Sequence, residues 1–293
     1  MTDTVRGLVR TARPKQWLKN VLVFAAPGAA GVLDRWDALW RTLLAFVAFC
    51  LAASAIYLWN DALDVAADRH HPTKRFRPVA AGIVTVTTAK VVGTLLPLAA
   101  LGVAAITGHW QTVAVVAVYV IVVMLYSAWL KHVAVLDIVT VASGFVLRAA
   151  GGAFAVDVPM SNWFVLVTVF GSLFIVCGKR YAEMREVGED AAVVRTTLAA
   201  YNLGYLRTVL AVSCGAALLS YCQWAFETRD LADTSWPFYE LSIVPLLTAL
   251  LRYALVLEQG RGAAPEDVFA SDRVLQLLGL AWIVVFGLAV YVQ

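Results

Sequence analysis

The chain has 293 residues, of which 61% are hydrophobic and 15% are charged, and its formal net charge is +3. Soluble domains carry about 25% charged residues, so this composition excludes an ordinary soluble enzyme. Together with a mean hydropathy of +0.77, it predicts an all-α polytopic membrane protein with about nine transmembrane helices. We expect residues 1–293 to form a single integral membrane domain.

Hydrophobic runs place the spans in chain order. The first is the least regular, because Pro14 and Pro27 flank or break it and Lys19 with Asn20 interrupts its start. Long loops in a compact domain tend to be functional, and the longest connections, at about 60–87 and 181–204, follow spans 2 and 6. The predicted spans are 18–33, 41–59, 88–107, 110–130, 134–154, 162–180, 205–226, 237–257 and 273–292.

Positive charge predicts the orientation of these spans. With a cytoplasmic N-terminus, 19 of the 23 Lys and Arg residues fall in inside segments and three fall outside, while Arg148 lies within span 5. Because Lys and Arg favour the cytoplasmic side of a membrane, we expect a multi-pass protein of the inner, or plasma, membrane. Both long loops would then face the cytoplasm.

The second span leads directly into the motif Asn60-Asp61-x-x-Asp64-x-x-x-Asp68. At about 100° per residue, an α-helix places these four side chains on one face over two turns. Three close carboxylates repel one another unless a cation lies among them, and hard oxygen ligands suit Mg²⁺, which commonly bridges to substrate phosphates. We therefore predict Mg²⁺ ligands at Asn60, Asp61, Asp64 and Asp68, with the three aspartates as catalytic residues. The alternative is a solvated helix end at the membrane surface.

A basic segment follows the acidic motif. Pro72 is expected to end the helix, because proline disfavours helical geometry in the residue before it. A diphosphate with its Mg²⁺ needs both carboxylates and cations, so this juxtaposition predicts a diphosphate site. The candidate substrate-binding residues here are Asn60, Lys74, Arg75 and Arg77.

Other polar residues near the span ends are open to two interpretations. Lys179 and Glu183, four residues apart at the end of span 6, suit either a simple ion pair or a second phosphate site. Arg148, near mid-membrane, is either paired or holds an anionic substrate group. Asp137, which opens span 5, could pair with Lys131. The further candidate substrate-binding residues are Lys19, Tyr126, Lys131, Arg148, Lys179, Arg180, Tyr181 and Glu183.

Several motifs, spread over nearly the whole chain, together resemble the UbiA superfamily of intramembrane prenyltransferases. The acidic motif resembles the first aspartate motif of that superfamily. Where ordinary members carry a second aspartate motif after span 6, this chain has Lys179 and Glu183 instead, which is similar to the phosphoribosyltransferase branch. The other motifs typical of that branch are Asp68-Arg69-x-His71-Pro72-x-Lys74-x-x-Arg77-Pro78, Arg13-Pro14-x-Gln16-Trp17-x-Lys19-Asn20, Tyr126-Ser127-x-x-Leu130-Lys131, Ser143-Gly144-Phe145-x-Leu147-Arg148 and Lys179-Arg180-Tyr181-Ala182-Glu183.

The resemblance implies a reaction in which phosphoribosyl diphosphate and decaprenyl phosphate, or another polyprenyl phosphate, give decaprenylphosphoryl-5-phosphoribose and diphosphate. It implies Mg²⁺ as cofactor and a role in cell-wall arabinan synthesis. On this hypothesis, Lys74, Arg75 and Arg77 contact the donor phosphates, and Lys179 and Arg180 hold its 5-phosphate or its diphosphate. The candidates for holding the lipid phosphate are Lys19, Lys131 and Arg148.

Three rival functions stay open. A prenyltransferase acting on an aromatic or quinone ring would carry a second aspartate motif after span 6. A transporter would place ionisable residues deep in several spans, whereas here most lie at one predicted membrane face. A structural scaffold would not account for the shared carboxylate face. We expect no nucleic-acid partner, and the sequence does not predict the oligomeric state.

Overall fold

The computed structural model describes residues 3–187, 196–232, 236–262 and 264–292. In these ranges the regular structure consists of α- and 3-10 helices, without strands. The α-helices are α1 (Asp3–Thr11), α2 (Ala25–Ala29), α3 (Trp36–Leu63), α4 (Val65–His70), α5 (Val86–Ile106), α6 (Trp110–Ala128), α7 (Leu136–Ala155), α8 (Asn162–Val187), α9 (Leu203–Ala232), α10 (Phe238–Leu241), α11 (Ile243–Glu258), α12 (Pro265–Ser271) and α13 (Arg273–Tyr291). The 3-10 helices are Pro14–Phe24, Lys74–Phe76, Leu130–His132 and Thr196–Ala200.

Among the described residues, eight helical stretches are long and apolar enough to cross a membrane. They are α3, α5, α6, α7, α8, α9, α10 with α11, and α13. This confirms the all-α polytopic class, and the eight stretches correspond to the predicted spans 2 to 9. The predicted loop at 181–204 begins later than expected, because α8 continues to Val187; residues 188–195 lie outside the described ranges.

The first predicted span, residues 18–33, is not one continuous α-helix and is not among the eight long helical stretches. The chain forms a 3-10 helix over Pro14–Phe24, followed by the five-residue α2. Two side-chain contacts join it to α3: Trp17 Nε1 donates to Ser54 Oγ at 3.1 Å, and Asn20 Nδ2 lies 3.2 Å from Cys50 Sγ. From Trp17 to Asn20 the segment advances, while its partner on α3 goes back from Ser54 to Cys50. The segment therefore lies antiparallel alongside α3.

The chain divides into two compact units, and unit 1 comprises residues 1–28, 32–128 and 147–159. Its core is built largely from alanine on α3 and α5, including Ala48, Ala52 and Ala100, each fully buried. Small side chains let membrane helices approach closely. At Gly93 of α5, an added Cβ would lie 2.9 Å from the ring of Trp59 on α3, so this contact requires glycine.

Unit 2 comprises residues 29–31, 129–146 and 160–293. Larger side chains dominate its core, where the rings of Phe174 on α8 and Tyr253 on α11 lie 5.6 Å apart. Toward the other end of α9, Trp224 stacks on Phe286 of α13 at 5.6 Å. The first contact packs α8 against α11, and the second packs α9 against α13.

Candidate active site

The acidic motif lies at the junction of α3 and α4. Asp64 breaks the regular helix, with φ −87° and ψ 5°, but the i to i−4 hydrogen bonds continue through it. Asp64 N donates to Asn60 O at 2.9 Å, and Asp68 N donates to Asp64 O at 2.8 Å. The helix ends at His70, and His71 is extended before Pro72, which confirms the predicted stop.

Two of the three motif carboxylates are brought together by arginine. Arg77 Nη1 lies 3.3 Å from Asp61 Oδ1 and 2.8 Å from Asp68 Oδ2. Arg13 Nη2 donates to the same Asp61 oxygen at 2.8 Å. Both carboxylates are buried, at 2% and 3% exposure, and burial of such charges requires paired, hydrogen-bonded partners. We call Arg13, Asp61, Asp68 and Arg77 the acidic cluster.

The backbone on both sides of the acidic cluster is held in place. Arg13 adopts the left-handed conformation, with φ 53° and ψ 64°, which costs a non-glycine residue about 1–3 kcal/mol, and its guanidinium lies 4.6 Å from the centroid of the Tyr57 ring. Just beyond Arg77, Val79 and Val84 are buried in a small core with Leu58. This core fixes the position of the Arg77 backbone, from which the side chain extends to the two carboxylates.

The predicted Mg²⁺ site is therefore assembled in part. Asp61 and Asp68 converge on one cationic nitrogen, while Asp64 is exposed and Asn60 is half-buried. In the described part of the chain, His, Cys, Asp and Glu side chains form no group of three or more that could hold a metal. The oxygen donors suit a hard divalent cation, and two of the four predicted ligands already stabilise positive charge. The four-ligand site stays a prediction.

The basic segment presents two cations to solvent. Lys74 and Arg75 are exposed, and the Arg75 guanidinium lies 4.8 Å from the centroid of the Phe76 ring. The short 3-10 turn begins after His71, whose Nδ1 accepts hydrogen bonds from the backbone nitrogens of Thr73 and Lys74 at 3.2 and 3.3 Å. Exposed Lys and Arg suit anion binding, whereas Arg77 is engaged by carboxylates.

Arg148 is buried in unit 1 and bonded to neutral side chains. Its Nε donates to Asn20 Oδ1 at 2.6 Å, and its Nη2 donates to Tyr119 OH at 2.7 Å. The guanidinium also lies 4.8 Å from the centroid of the Tyr119 ring. Of the two interpretations drawn from the sequence, these contacts favour pairing. Nearby, half-buried Lys19 Nζ donates to Gln16 Oε1 at 2.5 Å.

Unit 2 contains a second buried carboxylate, at Asp137 in the first turn of α7. Asp137 is completely buried and accepts from Arg180 Nε at 3.1 Å, from Tyr201 OH at 2.5 Å and from Thr197 Oγ1 at 3.3 Å. Arg180 also donates to Glu183 Oε2 at 2.7 Å. We call these five residues the Asp137 cluster; it ties the start of α7 to the end of α8 and to the 3-10 helix Thr196–Ala200.

The Asp137 cluster changes the roles expected for span 6. Arg180 is 2% exposed and its guanidinium is engaged by two carboxylates, so it supports the structure rather than facing an incoming phosphate. Lys179 lies 3.8 Å from Glu183 with its side chain 38% exposed, so the expected ion pair is present and Lys179 is still accessible. Asp137 pairs with Arg180, whereas the sequence suggested Lys131.

Two further observations distinguish the Asp137 cluster. Burial and the hydrogen bond to Asp137 raise the pKa of Tyr201, which keeps its hydroxyl protonated as the donor to that carboxylate. Val135, two residues before Asp137, has φ 69°, an outlier for a β-branched residue, and its N–H donates to Tyr201 OH at 2.5 Å. Strain of this kind often marks functional positions.

The remaining predicted residues are more scattered. Tyr126 and Lys131 are half-buried, and Tyr126 lies in unit 1 while Lys131 lies in unit 2. Tyr181 is 1% exposed. Its hydroxyl donates to Glu258 at 2.9 Å and accepts from Arg207 at 3.0 Å. Its ring is therefore buried in unit 2, and its hydroxyl is hydrogen-bonded there.

Sequence reasoning named Arg13 and Asp137 but assigned neither to the site. The signal was available for both. An ionisable residue inside a membrane span is a candidate functional residue by default, which applies to Asp137. Arg13 directly precedes the proline that starts the 3-10 helix Pro14–Phe24. The sequence did not indicate which residues pair with Arg13 and Asp137, because the partners are distant in the chain. Asp137 lies 43 positions from Arg180, and Arg13 lies 48 positions from Asp61.

Comparison with known proteins shows which protein family this chain is similar to. The profile of the UbiA prenyltransferase family matches residues 21–278. The chain is 46% identical to a protein from Mycolicibacterium smegmatis named decaprenyl-phosphate phosphoribosyltransferase, over 99% of this chain and 94% of that relative. It is 44% identical to a Corynebacterium glutamicum protein of the same name, over 98% of this chain and 87% of the relative.

A solved structure agrees with the fold. A UbiA homologue from Archaeoglobus fulgidus, bound to GPP and Mg²⁺, matches with a TM-score of 0.72 over 98% of this chain and 100% of the other. The two sequences are only 16% identical, so the match supports the fold and not a shared activity.

Proposed function

Because this chain belongs to the UbiA prenyltransferase family, we propose that it is a membrane phosphoribosyltransferase of the decaprenyl-phosphate type. It would transfer 5-phosphoribosyl from phosphoribosyl diphosphate to decaprenyl phosphate, giving decaprenylphosphoryl-5-phosphoribose and diphosphate for cell-wall arabinan synthesis. The observation that carries the proposal is the 44–46% identity, over nearly the whole chain, to proteins that bear this name. A single sequence motif would carry less weight.

The chemistry places few demands on acid–base residues. The bond between the anomeric carbon and the diphosphate oxygen breaks with its electron pair on the diphosphate, and a lipid phosphate oxygen forms the new bond to that carbon. The ribosyl centre passes through an oxocarbenium-like state, as in glycoside chemistry. Since the acceptor phosphate is already anionic, it needs positioning rather than deprotonation, and we assign no general base.

We assign the diphosphate to the acidic motif and the basic segment after it. Asn60, Asp61, Asp64 and Asp68 would hold Mg²⁺, which when bound neutralises negative charge developing on the leaving group. Arg77 and Arg13 orient the two buried carboxylates through the contacts described above. Arg77 would retain access to the donor through its 28% exposed side chain. The exposed Lys74 and Arg75 would contact donor phosphates directly.

The cations of the other predicted positions receive narrower roles. Lys179 would contact a substrate phosphate through its accessible ammonium, while Arg180, Tyr181 and Glu183 support that helix end. Lys131 and Lys19 stay candidates for the lipid phosphate, and Tyr126 stays a candidate substrate-binding residue. Arg148 would act indirectly, by fixing Asn20 and therefore the path of Pro14–Phe24.

We propose that the acidic cluster faces the cytoplasm. Arg13 contacts Asp61 near the end of α3, yet α3 begins at Trp36, so residues 14–29 must travel back along α3. Eleven 3-10 residues and five α-helical residues extend about 30 Å, close to the hydrocarbon thickness of a bilayer. If this segment crosses the membrane, the number of crossings before each loop is the same as in the predicted topology. In that topology 19 of the 23 Lys and Arg residues lie on the cytoplasmic side.

The proposal is tested with membranes containing the expressed chain, phosphoribosyl diphosphate labelled in the ribose, polyprenyl phosphate and Mg²⁺. We expect a labelled lipid that is absent from membranes lacking the chain. Absence of labelled lipid, together with transfer of a prenyl group from a prenyl diphosphate to an aromatic acceptor, would overturn the proposal in favour of ordinary prenyltransferase activity.

A further inference from the structure

A cavity of about 270 Å³ lies within unit 2, between α8, α9 and α11. Phe174, Leu210 and Leu257 form an apolar and buried inner wall. Ala211 and Gly215, on α9, are exposed and line the outer side. Both belong to a helix long and apolar enough to cross a membrane, so in a bilayer the cavity opens toward lipid chains.

One end of this cavity is cationic. Arg207 lies at its rim with a side chain 65% exposed, 3.4 Å from Glu258, and Arg185 Nη1 lies 3.2 Å from the same carboxylate. Tyr181 OH, which donates to Glu258, also lines this end. Arg207 and Glu258 line the cavity, and Arg185 adjoins it through Glu258, so these three side chains together carry one net positive charge at this end. Arg207 and Gly215 are eight residues apart on one helix, so the apolar part extends about 12 Å beyond this charge.

The cavity is distinct from the Asp137 cluster. Tyr181 and Arg185 are four residues apart and share one face of α8, which is the face directed at Glu258. Arg180 and Glu183 are bonded to each other and, through Arg180, to Asp137. The end of α8 thus has two polar faces, and only one of them borders the cavity.

We infer that this cavity binds a phospholipid of the surrounding bilayer that has an anionic headgroup. Its acyl chain lies along the apolar wall between Leu210 and Gly215, and its phosphate contacts Arg207 and Arg185. Charge complementarity selects the headgroup, since basic pockets between transmembrane helices are recognised sites for acidic lipids. The apolar wall selects a chain rather than a free phosphate. This inference does not depend on the proposed catalytic activity.

Filling the cavity tests the site. An added Cβ meets no atom within 4 Å at Gly215, and the same holds at Gly279 on α13, so Gly215→Leu and Gly279→Leu form a matched pair. The full-length protein in detergent is mixed with phosphatidylglycerol, and bound lipid is counted by native mass spectrometry. We expect Gly215→Leu to lose one bound lipid that wild type and Gly279→Leu retain. Equal lipid counts in both variants would overturn the site.

Removing the charge tests the headgroup. Arg207→Gln is compared with Arg261→Gln, whose side chain is also exposed, at 57%. We expect Arg207→Gln to lower the preference for phosphatidylglycerol over phosphatidylcholine about fivefold, the effect of one cation near an anionic membrane surface, and Arg261→Gln to leave it unchanged. An unaltered preference in Arg207→Gln would contradict the inference even if Gly215→Leu failed to fold.

A competition experiment identifies the source of the lipid. Polyprenyl phosphate is added at a concentration equal to that of phosphatidylglycerol. We expect the phospholipid to stay bound. Its displacement from wild type and from Gly279→Leu, with no change in the lipid count of Gly215→Leu, would assign the cavity to the isoprenoid acceptor and would overturn the assignment to a bilayer phospholipid.

Discussion

At the scale of single residues, the three aspartates of the motif have different surroundings. Asp61 and Asp68 are buried and balance the charges of Arg77 and Arg13, whereas Asp64 is exposed. A role in folding and a role in catalysis can therefore be separated by substituting them one at a time.

For Asp64→Asn we expect kcat/KM to fall at least about 100-fold, the lower range for removing a group that organises charge in the transition state, while stability changes by less than about 0.5 kcal/mol, as for other exposed positions. Turnover with labelled phosphoribosyl diphosphate and thermal unfolding in detergent measure the two effects. Asp37→Asn, an exposed carboxylate at the other end of α3, is the control and should change neither. Near-normal turnover in Asp64→Asn would remove this residue from the site.

For Asp61→Asn we expect a loss of both activity and stability. The substitution leaves Arg13 and Arg77 without a shared buried carboxylate, which costs about 1–3 kcal/mol. The free energy of unfolding in detergent checks this, with Asp64→Asn as the matched control in the same motif. If the two variants unfold alike, the ion pairs to Asp61 contribute nothing measurable and the acidic cluster is not a structural unit.

At the scale of elements, the Asp137 cluster joins three segments at one end of unit 2. The predicted consequence is that Asp137 positions Lys179 and Glu183 through Arg180 without touching substrate. Buried ion pairs lose about 3–5 kcal/mol when one partner is removed, so Asp137→Asn should destabilise the protein. It should also raise the apparent KM for phosphoribosyl diphosphate more than it lowers kcat, because Lys179 would be misplaced.

Asp272→Asn controls for lost stability alone. Asp272 is buried, caps α13 and pairs with Arg252 at 2.8 Å, and hydrogen bonding to Arg252 lowers its pKa. A carboxyl group whose pKa is lowered by folding contributes stability that is fully present above its ordinary pKa. That stability is lost as the pH falls through the lowered pKa of the folded state. Wild type should thus be more stable than Asp272→Asn at neutral pH and converge with it in acid, with no change in KM. Equal KM values in Asp137→Asn and wild type would contradict the positioning role.

The 3-10 segment Pro14–Phe24 is the other element that can be tested. A Cβ at Gly152 of α7 would overlap the backbone carbonyl of Val23, whereas a Cβ at Gly102 of α5 meets no atom within 4 Å. We expect Gly152→Ala to destabilise unit 1 by about 1–3 kcal/mol, as overpacking does, and Gly102→Ala to be neutral or slightly stabilising. Thermal unfolding of the two variants measures this. Equal unfolding temperatures would mean that the segment does not pack closely against α7.

At the scale of the whole molecule, hydropathy was sufficient for the eight long helices because a run of 18 or more apolar residues has few other stable forms. Hydropathy did not indicate the helix type over residues 18–33, since a 3-10 helix and an α-helix bury similar side chains. There the form depends on distant contacts such as Asn20 with Cys50 and Arg148. The acidic motif was visible as a pattern, but its pairing with Arg13 and the burial of Asp137 depend on tertiary contacts that no local spacing encodes.

The proposed orientation predicts which surface each loop faces. Arg75 and Asp34 are both exposed; Asp34 precedes α3, and Arg75 follows α4, which continues from the other end of α3. After Arg75→Cys, an impermeant maleimide should label inside-out vesicles only, and after Asp34→Cys it should label right-side-out vesicles only. The four native cysteines lie within helices, and the unsubstituted protein measures their background. The reverse pattern would place the acidic cluster outside the cell.

The central claim, transfer of a phosphoribosyl group to a lipid phosphate, is tested most directly by following both halves of the donor. Purified protein is incubated with polyprenyl phosphate, Mg²⁺ and phosphoribosyl diphosphate labelled separately in the ribose and in the β-phosphate. We predict that the ribose label enters the lipid and the β-phosphate label is released as diphosphate in equal amounts. Ribose label that never enters the lipid, or β-phosphate label that accompanies it, would contradict the account.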